Sequence, residues 1–162
     1  MTLQTDTAAS VAHILLEIEI DAPRSKVSEL FEDPESIAKW QPGFQGIEEL
    51  PAQPGISHKR YRLSYSHGKR QLEMIETVEV DALPDEFTAS YEAPGMFMRV
   101  QNRFEELGAE KTRWITENEA DTSGLMMKLI SFLMPGCFKK QSFKYMENFK
   151  ALVETGADVR ES

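Results

Sequence analysis

The chain has 162 residues and a formal net charge of -9, with a pI near 4.9. That balance argues against nucleic acid or an anionic membrane as the main partner, because both are held through phosphate-directed Lys and Arg. Cys137 is the single cysteine, so neither an internal disulfide nor a thiolate metal cluster can form. A chain of this length is expected to fold as one domain and to bury roughly 70% of its unfolded surface without covalent staples.

Residues 1 to 10, MTLQTDTAAS, are small and polar and are expected to fray. They lack the basic stretch and apolar run of a signal peptide. Residues 13 to 20, HILLEIEI, alternate so that Ile14, Leu16, Ile18 and Ile20 share one strand face. Pro23 then suits the first turn of a helix whose Val27, Leu30 and Phe31 fall at i, i+3, i+4 spacing. Asp33 before Pro34 is a cap and first-position pair for a second short helix carrying Ile37 and Trp40, which QPG ends.

Six strands separated by turn signals are predicted next, at 44 to 50, 56 to 66, 69 to 81, 86 to 93, 96 to 107 and 111 to 120. Each turn sets a register. His67-Gly68 as a two-residue loop pairs Ser66 with Lys69, which puts Tyr61 opposite Met74, Leu63 opposite Leu72 and Lys59 opposite Glu76. ALPD as a turn pairs Ala82 with Asp85, and so Val80 with Phe87, Val78 with Ala89 and Glu76 with Tyr91. Pro94-Gly95 pairs Ala93 with Met96. Gly108-Ala109-Glu110 pairs Leu107 with Lys111, hence Phe104 with Trp114 and Asn102 with Thr116, with Asn118 two residues further on. Apolar residues meet apolar residues in each hairpin, and a one-residue slip would reverse every face, so an antiparallel meander with one buried face follows. Arg60, Arg62, Glu73, Glu79, Arg99, Arg103 and Arg113 fall on the other face.

Residues 122 to 156 return to helical periodicity, apolar almost all round at first and then narrowing to Phe138, Tyr145, Met146, Phe149, Leu152 and Val153. Pro135-Gly136 is expected to kink or break this element. The apolar stretch LMMKLISFLMPGCF is interrupted by Lys128 and Pro135 before it reaches membrane-spanning length, so a soluble, cytoplasmic protein is expected.

This order resembles the START-related and polyketide-cyclase-like proteins of the SRPBCC superfamily, through IEIDAPRSKVSELFEDPESIAKWQPG, VEVDALPDEF and the final helix, over about residues 13 to 155. The resemblance implies an α+β helix-grip fold: a curved seven-stranded antiparallel sheet around a long C-terminal helix, with two short helices after the first strand. It implies a single domain over 1 to 162, its core at 13 to 156 and its ends flexible, with a hydrophobic cavity between sheet and helix. Members include lipid carriers, aromatic cyclases, hydroxylase subunits and co-chaperones, and no shared catalytic set carries over to this chain.

In such a fold the inner face of the sheet is the cavity wall. Trp40, Tyr61, Met74, Met98, Phe104 and Trp114, with Leu129 and Leu133 of the C-terminal element, are then the apolar lining, unless they serve only as core. Glu76, Tyr91, Asn102 and Thr116 are inward polar groups that either satisfy one another, with Lys59 pairing Glu76, or read a ligand's polar end. Met96, Phe97, Met98, Met126, Met127 and Met134 suit an adaptable apolar mouth, flexible core filler or a homodimer interface.

Cys137 has no His near it in sequence, and His13, His58 and His67 have no metal-ligand spacing. GxGxxG, P-loop and GxSxG motifs are absent, so no cofactor or metal is called for. Three functions remain open. The first is binding or transport of a small hydrophobic molecule such as a lipid, polyketide or aromatic. The second is a cyclase or dehydratase-type enzyme with Glu76 as base and Tyr91 or Asn102 holding a developing oxyanion. The third is a co-chaperone-like module with a filled interior.

Overall fold

The computed structural model describes residues 11–121, 124 and 136–161. Seven strands form one antiparallel sheet in the order β1-β7-β6-β5-β4-β3-β2. They are β1 (Val11–Ile20), β2 (Phe44–Glu49), β3 (Arg60–His67), β4 (Arg70–Ala82), β5 (Glu86–Ala93), β6 (Met96–Gly108) and β7 (Lys111–Asp121). Helices α1 (Arg24–Glu32) and α2 (Pro34–Trp40) join β1 to β2, which are the two edges of the sheet. Helix α3 (Cys137–Thr155) packs on β1, α1 and α2. This is the predicted helix-grip architecture.

Local chemistry explains the entry segment. Leu16 and Ile20 of β1 are buried and Ile14 and Ile18 pack beside them, while Leu15 on the opposite face is 61% exposed. Pro23 stands at the N-cap of α1 rather than inside its first turn. The Arg24 guanidinium, one residue on, binds Asp85 at 2.9 Å and the Phe104 carbonyl at 3.3 Å, tying α1 to the sheet. Asp33 caps α2 as expected: its carboxylate accepts from the Glu35 amide at 3.0 Å and from the Ser36 hydroxyl at 2.9 Å. Gly43 then turns the chain into β2 with φ of 84°. A Cβ there would lie 2.5 Å from the Ser66 carbonyl oxygen, so the glycine is required twice over, by conformation and by space.

The register is as predicted at Glu76 with Tyr91, Val78 with Ala89, Ala93 with Met96, Phe104 with Trp114 and Asn102 with Thr116. Three hairpin registers need correction. The β3–β4 turn is centred on Gly68-Lys69, pairing His67 with Arg70, so Tyr61 faces Glu76, Leu63 faces Met74 and Tyr65 faces Leu72. A slip of two residues keeps every side chain on its predicted face. A bulge between Val78 and Val80 moves Phe87 from Val80 to Asp81. Another between Glu106 and Gly108 pairs Gly108, rather than Leu107, with Lys111. β3 also begins at Arg60, later than the predicted 56.

The convex face bears the expected charges, now paired: Arg62 with Glu48 at 3.0 Å, Arg99 with Glu79 at 2.7 Å, Arg103 with Glu117 at 2.9 Å and Arg113 with Glu19 at 3.3 Å. Such exposed pairs contribute about 0 to 1 kcal/mol each and mainly keep that face solvated. The apolar core gathers Leu16, Ile20, Val27, Trp40, Phe104, Trp114, Met146, Phe149, Leu152 and Val153, at the end of the sheet where β1, β6 and β7 meet α1, α2 and α3. Leu129, Leu133, Met126, Met127, Met134 and the Pro135 kink lie outside the described residues. Among the described residues no helix is long and apolar enough to cross a membrane.

Candidate functional site

The core does not extend through the whole interior. Between the concave face of β3 to β7, helices α1 and α2, and the Ser142 to Met146 stretch of α3 lies a cavity of about 700 Å³. That lies within the roughly 300–1,000 Å³ common for small-molecule sites.

One end is aromatic. Phe31 of α1 sits at its centre, with ring centroids 6.2 Å from Trp40, 5.8 Å from Phe87, 5.1 Å from Phe104, 5.7 Å from Trp114 and 5.9 Å from Phe149. Trp40 and Trp114 meet edge to face at 6.0 Å, and both contact Phe149 at 5.2 Å. Most of these pairs have the edge-on geometry that the ring quadrupole favours, so this end is a rigid apolar wall. The Trp114 indole N–H donates to the Asn102 side-chain oxygen at 3.0 Å, and the Asn102 amide donates to the Phe87 carbonyl at 3.4 Å. Asn118 donates to the Thr116 hydroxyl at 3.3 Å and the Ile14 carbonyl at 3.4 Å. These inward amides hold the wall together. The Trp40 indole N–H, also buried, has no hydrogen-bond partner among the described residues.

The other end is polar. Glu76, 9% exposed, faces the cavity from β4. Burial raises its pKa, and a hydrogen bond from Tyr91 partly offsets this. Tyr65 donates to the Gln41 side-chain oxygen at 2.7 Å. Burial pushes the Tyr65 and Tyr91 phenols up, with neighbouring negative charge adding to the effect. All four tyrosines of the chain, Tyr61, Tyr65, Tyr91 and Tyr145, border this one cavity. Exposed Glu32, His58, Lys59 and Asp81 stand at its rim.

Of the residues singled out from sequence, Trp40, Tyr61, Met74, Glu76, Tyr91, Met98, Asn102, Trp114 and Thr116 border the cavity. Phe104 does not. It is 2% exposed and stacks on Trp114 at 5.9 Å, inside the core. Met98 reaches the cavity while Phe97 points outward, 40% exposed. The Lys59–Glu76 pair does not form: no ion pair among the described residues involves Glu76, because the corrected register gives that position to Tyr61 and leaves Lys59 beside Val78 at the rim. Cys137 starts α3 as a free, partly exposed thiol. Tyr65 and Gln41 were not anticipated. The alternation of Tyr61, Leu63 and Tyr65 carried the signal for the first, and nothing in the sequence carried one for the second. No group of three or more acidic, His or Cys side chains able to hold a metal occurs among the described residues.

No protein-family model and no curated protein matches the sequence. Solved structures do match in fold. An aromatase/cyclase, Zhui from Streptomyces sp. R1128, superposes with a TM-score of 0.70 at 16% identity, covering 92% of this chain and 99% of that one. A START superfamily protein from Mycobacterium smegmatis gives 0.62 at 16%, covering 83% and 94%. Ara h 8.0201 gives 0.67 at 11%, covering 88% and 97%. At these identities the likeness is one of fold, and the chain has the helix-grip fold that its sequence resemblance implied.

Proposed function

We propose that this protein binds a small, largely hydrophobic molecule in the cavity between sheet, α1–α2 and α3. The observation that carries this reading is an interior left open at about 700 Å³ among the described residues and walled by aromatic and thioether side chains around the buried Glu76 carboxyl. An adaptor needs no such space, because its interior packs solid and its contacts lie outside. Trp40, Tyr61, Met74, Met98 and Trp114 supply apolar contact, and Glu76, Tyr91, Asn102 and Thr116 supply the polar contacts.

The test is a thermal-shift panel of polyaromatic, fatty-acid and hydrophobic fluorescent probes. A ligand of micromolar Kd, roughly -8 kcal/mol, present at about 100 times that Kd, stabilises the folded state by about 2.7 kcal/mol. For a domain of this size that raises Tm by roughly 5 to 10 °C. No shift with any probe refutes the reading.

A second reading, a cyclase or dehydratase-type enzyme, is favoured by one observation: Glu76 is buried beside the Tyr91 hydroxyl in the cavity, an arrangement that can move a proton at a bound substrate. Asn102 is less suited to hold an oxyanion than the sequence suggested, since its side chain already holds Trp114 and the Phe87 carbonyl. Turnover lost in Glu76→Gln while probe binding persists would establish this reading; unchanged turnover removes Glu76 from it.

A further inference from the structure

The occupant's polar end follows from what the described residues do not provide for Glu76. A carboxyl this buried is ordinarily paired with a cation, because an unpaired buried charge is costly. Here no ion pair among the described residues reaches it. Tyr91 is its hydrogen-bond partner, and Tyr65 lies close enough to feel its charge.

Tyrosine rings around a carboxylate form a cation-accepting environment, since the ring faces carry negative potential. The charges around the site have the same sign. Among the described residues, the ionisable groups bordering the cavity, beyond the tyrosines, are Glu32 on α1, Glu76, Glu79 and Asp81 on β4, and His58 and Lys59 before β3. Glu79 is neutralised by Arg99, and Lys59 is exposed at the rim. Among the described residues, a carboxylate ligand would therefore meet an acidic lining with Lys59 at its periphery. A cation would be drawn both by the rim and by the overall charge of -9.

We propose that the cavity selects a hydrophobic aromatic ligand carrying a protonated amine, with the ammonium seated on the Glu76 carboxylate among Tyr65, Tyr91 and Tyr145 and the apolar body against Trp40 and Trp114. This rests on the reading of the cavity as a ligand site. The ammonium supplies the cation that the described residues do not, and brings Glu76 into its charged form.

The experiment uses three probes with one skeleton, 2-(1-naphthyl)ethylamine, 2-(1-naphthyl)ethanol and 1-naphthaleneacetate, titrated calorimetrically against wild type and Glu76→Gln near neutral pH. In wild type the amine binds about tenfold tighter than the alcohol and tighter still than the carboxylate. In the variant the amine's advantage over the alcohol falls to about twofold or less, with alcohol binding kept. Amine binding to wild type also strengthens as pH rises from acid toward neutral, as the Glu76 carboxyl ionises, and this slope is absent from Glu76→Gln. If the alcohol or carboxylate binds wild type as well as the amine does, the amine proposal is overturned while the cavity reading stands. If none of the three binds, the cavity reading falls and the proposal with it. The order of the three probes on wild type alone decides the matter should the variant fail to fold.

Discussion

The Glu76 carboxyl has exchanged water for a wall of tyrosines, and its pKa rises from the ordinary 4.5 through burial, with Tyr91 pulling it part of the way back. A carboxyl whose folded pKa lies above its unfolded value binds its proton more tightly when folded, so stability is complete below 4.5 and falls as pH climbs from there through the folded pKa. Glu76→Gln keeps an acceptor for Tyr91 and removes the charge. The ligand-free variant should therefore melt above wild type near neutrality, the gap closing as pH falls toward 4.5; Tm measured against pH for both proteins checks this. The Lys59 partner expected from the sequence would reverse the sign, because the substitution would then strand a lysine. Asn102 acts differently. Asn102→Ala leaves the Trp114 indole N–H without its 3.0 Å acceptor in a buried site, a loss of about 1 to 3 kcal/mol measurable by urea unfolding.

Turn chemistry decides how far the elements could be read in advance. At Gly43, substitution by Ala combines an unfavourable φ of 84° with a Cβ 2.5 Å from the Ser66 oxygen, and should lower the unfolding free energy by about 1 to 3 kcal/mol, read as a lower denaturation midpoint at unchanged m-value. The α1–α2 entry was legible because Asp33-Pro34 and QPG are local signals that need no tertiary context. The faces of β3 to β7 were legible because alternation survives a register error of two. The register of β3–β4 was not: His67-Gly68 and Gly68-Lys69 are both acceptable two-residue loops, and the choice between them keeps every face. The bulges after Val78 and Glu106 leave no composition signal, yet the first of them brings Asp81 to the cavity rim, opposite Phe87. Phe104 and Trp114 are paired aromatics on one face, and only the position of Phe31 above them separates core from cavity wall. Tyr65 was within reach of alternation, whereas Gln41 depends on where a chain turn falls beside a distant strand.

Across the described residues the interior has two parts, an aromatic core under α1 and α3 and an open chamber against the concave face of β3 to β7, with Trp40 and Trp114 forming the wall between them. Chamber residues outside the core cluster should therefore govern binding more than stability. Met74 is only half-buried and borders the chamber, so Met74→Trp adds volume toward open space rather than into the core. That variant should keep its circular dichroism and lose about tenfold or more in affinity for apolar probes; a fold that collapses would show that the chamber is not separable from the core, and affinity left intact would show that the probes bind elsewhere. The most direct measurement of the central claim is native mass spectrometry of the 18.4 kDa chain, purified gently, extracted with organic solvent, and then exposed to an apolar aromatic probe. A chamber that binds one hydrophobic molecule predicts a single small-molecule adduct per chain, removed by extraction and restored by the probe. A bare polypeptide mass at every stage, with no probe retained at saturating concentration, would contradict it.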